Sequence, residues 1–120
     1  MAYIHLYGTN LVYDDRGEGP VVILLGERAA DWPEELPPGF RYLIPDLPGR
    51  GRSEGVPLSP EEDAEFVVGL IMMLNLDGYR VLTRGYGERV GEVLRERMGL
   101  AEVCRAPDPA SLQACLQPSS

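Results

Sequence analysis

The 120-residue chain contains no lysine, one histidine, one tryptophan and two cysteines. Each scarcity removes a class of function. All eleven basic residues are scattered arginines against nineteen Asp and Glu, for a net charge of -8. A dense cationic face able to neutralise phosphates is absent, which argues against nucleic-acid binding. A single histidine leaves little for a metal site or a histidine-based relay. Cys104 and Cys115 have no histidine near them in sequence and match neither zinc spacing nor a redox C-x-x-C. Their expected state is two reduced, partly buried thiols, with a disulfide pinning the tail as the alternative. The longest apolar run, Phe66 to Leu74, falls well short of the roughly 20 residues a spanning helix needs, so no membrane partner is expected. Met1 to Gly8 alternates apolar and polar residues without a basic leader, and the expected location is cytoplasmic.

What is present reads as one domain. A hydrophobic content of 44% over this length can bury a core without disulfide or metal. Tyr3–Tyr7 and Leu11–Asp15 form strand-favouring runs around Gly8-Thr9-Asn10, a hairpin signal. Val21 to Leu25 is continuously apolar, as a parallel strand covered on both faces must be. After it, Asp31 to Leu36 can form at most a short helix. Phe40 to Ile44 is the next strand, and Pro45 to Ser53 is too rich in Pro and Gly to be other than an ordered loop. Ser59-Pro60-Glu61-Glu62 combines an N-cap serine, proline at the first helical position and a glutamate that closes a capping box.

That helix runs to about Leu74, with Val67, Leu70, Ile71 and Leu74 on one face. Tyr79 to Thr83 is a strand, Tyr86 to Met98 a second helix, Leu100 to Cys104 a last short strand and Ala110 to Leu116 a tail helix. The fold class is therefore α/β: a mostly parallel sheet with an antiparallel N-terminal hairpin, its core at about 10–105 and a tail helix at about 110–116. Ligands in such sheets sit beyond the carboxyl ends of the strands, which here carry Gly26-Glu27-Arg28, Pro45-Asp46 and Thr83-Arg84-Gly85.

From about Asn10 to Leu100 the sequence resembles the N-terminal half of the α/β-hydrolase family. The opening Leu11-Val12-Tyr13, the segment Gly17 to Leu25 and above all Pro45-Asp46-Leu47-Pro48-Gly49-Arg50-Gly51-Arg52-Ser53 carry the likeness, the last being similar to that family's Pro-Asp-x-x-Gly-x-Gly-x-Ser signature. The resemblance puts Leu82 to Glu88 in the place of the nucleophile elbow, with Gly85 where serine belongs and Tyr86 as the residue whose N–H would face an oxyanion. Gly26-Glu27 replaces the family's His-Gly and sets a carboxylate by the oxyanion site. The strands that carry the triad acid and histidine have no counterpart, and His5 lies in the opening hairpin. Asp46 and Ser53 are expected to organise their loop. Arg84 can bind an anionic ligand or pair with Glu27 or Glu88, the ion pair being preferred.

The resulting expectation is a minimal, catalytically silent α/β-hydrolase-like protein with no catalytic residue, metal or cofactor. It acts by binding or interaction as a homodimer joined through an exposed sheet edge at Leu100–Cys104 or through the tail. The alternative is a small-molecule binding protein or residual hydrolase using Glu27, Arg84, Gly85 and Tyr86 on an ester-like substrate.

Overall fold

The computed structural model describes residues 2–100 and 102–117. Six strands form one sheet: β1 (Ala2–Leu6), β2 (Thr9–Arg16), β3 (Val21–Leu25), β4 (Arg41–Pro45), β5 (Tyr79–Thr83) and β6 (Val103–Arg105), in the order β1-β2-β4-β3-β5-β6. The hairpin strand β2 pairs antiparallel with β1 and β4, and β4, β3, β5 and β6 run parallel. The hairpin closes on two residues rather than three: Leu6 pairs Thr9, and Tyr7 and Gly8 both take positive φ, as a tight turn with right-handed strand twist demands.

Three helices cover the sheet: α1 (Pro60–Met73), α2 (Gly87–Glu96) and α3 (Pro109–Leu116). Ser59 Oγ accepts the Glu62 N–H at 3.2 Å and Glu62 Oε1 accepts the Ser59 N–H at 3.4 Å, the capping box expected from sequence. Asp108 and Ser111 close a second box under Pro109 at the start of α3. No helix among the described residues is long and apolar enough to cross a membrane.

Alternation along the strands divides the core in two. Ile23, Leu25, Leu43 and Val81 face Phe66, Val67, Leu70, Val90 and Leu94 of α1 and α2. Val22, Leu24, Ile44 and Leu82 face Trp32 and the α3 residues Leu112 and Leu116. The first face is thick, while the second is covered by one loop and eight residues of helix. Burying a single such Leu contributes about 2 kcal/mol, so both layers matter to stability.

Three expectations are corrected. The segment after β3 forms only a 3-10 turn at Ala29–Asp31 instead of a helix at Asp31–Leu36, because Trp32 precedes a proline and is driven into extended backbone. The last strand lies at Val103–Arg105, later than Leu100–Cys104, and Ala101 of that range lies outside the described residues. Cys104 and Cys115 are joined as a disulfide with Cα atoms 5.9 Å apart, so the expected reduced thiols give way to the alternative. The bridge clips α3 to β6, because the short helix packs only Leu112 and Leu116 deeply.

Candidate functional site

The turn from β5 into α2 is where the chain comes closest to a reactive geometry. Arg84 N–H bonds to Leu25 O at 3.0 Å, and Gly87 N–H to Arg84 O at 2.9 Å, which fixes the turn against the end of β3. Gly87 is required there, since any Cβ would overlap the Leu25 carbonyl. Gly85 is different. It sits at φ +54° with no atom within 4 Å of where a Cβ would project, so the turn holds the positive-φ backbone of an elbow, which glycine adopts freely, and open space above it.

The groups around the turn are bonded to one another. The Tyr86 hydroxyl donates to Asp63 Oδ2 at 2.5 Å, and Arg50 Nη1 donates to the same carboxylate at 2.9 and 3.1 Å. The Arg50 guanidinium lies 4.5 Å over the Tyr86 ring and reaches Glu27 at 3.5 Å. Asp63 is fully buried and Arg50 nearly so, with 11% of its side chain exposed. Burial, then the bond to Asp63, pushes the Tyr86 hydroxyl up to about 12, so it stays a proton donor and is no base at neutral pH. Burial also raises the Asp63 carboxyl, against the pull of Tyr86 and Arg50.

The approach from β3 is occupied as well. Asp31 Oδ2 accepts the N–H groups of Glu27 and Arg28 at 2.8 and 2.9 Å. Burial works to raise the Asp31 carboxyl, and these donations with the Arg28 guanidinium outweigh it and hold it below its ordinary value. A backbone donor that an incoming oxyanion would need already serves the protein's own carboxylate.

The sheet separates the residues singled out in the sequence. Glu27 and Tyr86 are brought together by Arg50 on the α1 side. Arg84 turns to the opposite face, where its guanidinium stacks 4.0 Å over Trp32 and donates to the carbonyls of Asp31 and Ala106, each at 3.1 Å. The preferred ion pairing of Arg84 is thereby corrected: Glu27 pairs with Arg50, and Glu88 with Arg105 at 2.9 Å. Stacking on an aromatic face and donating to two carbonyls suits a planar guanidinium.

Asp46 and Ser53 organise their loop as expected. Asp46 accepts from Ala29 N–H and from Arg52, and the Ser53 hydroxyl bridges Asp46 O and Val12 N–H. His5 bonds Asn10 Oδ1 at 2.8 Å on the hairpin, and β2, β4 and β3 stand between it and the elbow strand.

Arg50, Asp63 and Asp31 were missed in the sequence. Asp63 left a trace: with Phe66, Val67 and Leu70 it follows i, i+3, i+4, i+7 spacing, a carboxylate on the buried stripe of a helix.

Comparison with solved structures settles the ancestry. Over 94% of this chain and 93% of the other, it is 46% identical to the protein of the "Crystal Structure Analysis of TT1977", with a TM-score of 0.83. The epoxide hydrolase VrEH1 from Vigna radiata is 25% identical at a TM-score of 0.63, with 78% of this chain and 34% of that one covered. The enol-lactonase from Burkholderia xenovorans LB400 is 27% identical at 0.66, covering 80% and 42% respectively.

This chain belongs to the α/β-hydrolase fold family.

No family model and no curated protein matches its sequence. The chain spans between a third and a half of the two named hydrolases. Glycine at position 85 is thus the α/β-hydrolase elbow without its nucleophile.

Proposed function

We propose that this α/β-hydrolase-fold chain is a non-catalytic binding or interaction protein that works as a homodimer. One observation carries the reading: at the elbow, Gly85 has no side chain, and Tyr86, the residue after it, is bonded into a network with Asp63, Arg50 and Glu27. A serine nucleophile needs a base within hydrogen-bond reach, and His5 is held on the far hairpin. A cytoplasmic setting belongs to the same proposal; thiol trapping in cells tests it, since a fully oxidised Cys104–Cys115 bridge would speak for an oxidising compartment.

The test is a panel of short acyl esters offered to protein free of contaminating esterases. No turnover is expected, from the natural chain or from Gly85→Ser. Turnover that disappears with Glu27→Ala or Arg84→Ala would overturn the non-catalytic reading.

A second reading has one observation in its favour. A groove of about 570 Å³ runs from Gly85 along α2 to β6, reaching Thr83, Glu88, Glu92 and Arg105. A small molecule retained there would appear in native mass spectrometry as a reproducible mass above the 13.2 kDa chain or its dimer. Bare masses favour the interaction protein.

A further inference from the structure

The β6 edge carries more information than its exposure. In a parallel ladder, alternate residues turn both backbone groups toward the same neighbour. Val81 N–H bonds Glu102 O and Ala106 N–H bonds Thr83 O, each at 2.7 Å, and Val81, Leu82 and Thr83 register with Val103, Cys104 and Arg105. The inward-facing residues of β6 are therefore Glu102, Cys104 and Ala106. Val103 and Arg105 turn their N–H and C=O groups away from the sheet, the Arg105 carbonyl also touching Cys115 Sγ at 3.3 Å.

We infer that this edge pairs with itself: a second copy of the chain adds its β6 antiparallel about a two-fold axis through Cys104 and continues the sheet across the dimer. The inference rests on the homodimer reading and says where that dimer is made. Two observations select a second copy as the occupant. The first is register. An axis at Cys104 sets Val103 opposite the partner's Arg105 and Arg105 opposite the partner's Val103. Each such pair exchanges two hydrogen bonds, so all four outward groups of each strand are satisfied at once. A two-fold at Val103 or at Arg105 instead sets the remaining outward residue opposite a position beyond the three-residue strand.

The second observation is charge. A chain of net charge -8 resists self-association over most of its surface. The charged residues lining the groove beside β6 are Glu88 and Glu92 against Arg89, Arg95 and Arg105, two acidic and three basic. Glu88 already pairs with Arg105 within the chain at 2.9 Å, which leaves Glu92, Arg89 and Arg95, charges of both signs, to meet a second copy. The groove beside β6 therefore brings like copies together on a surface of mixed rather than uniformly negative charge.

The decisive substitution is Arg105→Pro. Its N–H faces outward, so proline removes no bond to β5 and blocks the incoming strand. Sedimentation of the oxidised 120-residue chain should give a particle of twice 13.2 kDa, and Arg105→Pro should lose that particle while keeping its far-UV circular dichroism. Hydrogen exchange on the unmodified protein gives an independent reading, needed if the proline variant misfolds. The Val103 and Arg105 amides should be protected at high concentration and lose protection at least tenfold on dilution, unlike those of β3. A dimer that survives Arg105→Pro, or amides indifferent to dilution, overturns this edge and leaves the homodimer standing. A monomer at every concentration overturns both.

Discussion

The elbow and the β6 edge both reach one groove along α2, and the chain treats their polar groups in opposite ways. At the elbow, the polar groups gathered around Tyr86 and Glu27 are already committed: Tyr86 and Arg50 to Asp63, Glu27 to Arg50, and the Glu27 N–H to Asp31. At β6, backbone donors and acceptors of Val103 and Arg105 point outward, next to a groove of mixed charge. A catalytic site tends to hold unsatisfied or strained groups for its substrate. Here Gly85 keeps the positive φ of an elbow without strain, and the outward backbone groups stand at the edge, which supports the proposed interaction role.

Breaking the elbow network should have the largest effect. Asp63→Ala leaves the Arg50 charge in a nearly closed setting and is expected to destabilise by about 3–5 kcal/mol, measured by urea unfolding. Asp63→Asn, which keeps an acceptor for Tyr86, should lose clearly less. A cost for Asp63→Ala no larger than that of an exposed acid such as Glu61 would mean the network is decorative. Next in size is the disulfide. Cutting its 11-residue separation by reduction or by Cys104→Ser together with Cys115→Ser should cost about 2–3 kcal/mol, seen as a lowered melting temperature.

Gly85→Ser should fold, because its Cβ meets open space, with a cost of about 1 kcal/mol for a side chain at positive φ. It should gain no esterase activity even when combined with Asp31→Ala, which frees the Glu27 N–H. A gain in either variant would show that a base reaches the elbow after all.

The smallest effect is in the pH dependence. The Tyr86 hydroxyl is raised in the fold from 10 to about 12, so its contribution is fully present below pH 10 and is lost as pH climbs toward 12. Tyr86→Phe should flatten the alkaline limb of a stability profile. Asp31 has the opposite sign: lowered in the fold, it stabilises above the ordinary carboxylate range and ceases to as pH falls below it.

How much of this could be read from the sequence follows from how local each signal is. The continuous run Val21–Leu25, the box at Ser59 and Glu62 and the Gly-rich loop at Asp46–Ser53 each announce themselves within a dozen residues, and the structure has them all. The elbow was legible for the same reason, as a strand meeting glycines before a helix. The network that fills it joins positions 27, 50, 63 and 86, which come together only when α1 docks on the sheet, and no spacing rule connects them. Arg84 was misread because Glu27 and Glu88 stand near the same turn, whereas strand alternation sends its side chain through to Trp32. The disulfide escaped because its two cysteines approach only after α3 folds back across β6.

Trp32 gives that last arrangement a practical meaning. It is the single tryptophan of the chain, buried on the thin face beneath Arg84 and beside the α3 residues Leu112 and Leu116, while the other core layer holds none. Its indole emission is in effect a built-in gauge of one half of the molecule. A red shift on reduction, with helical circular dichroism from α1 and α2 unchanged, would register the lifting of α3 alone, before the rest of the fold responds.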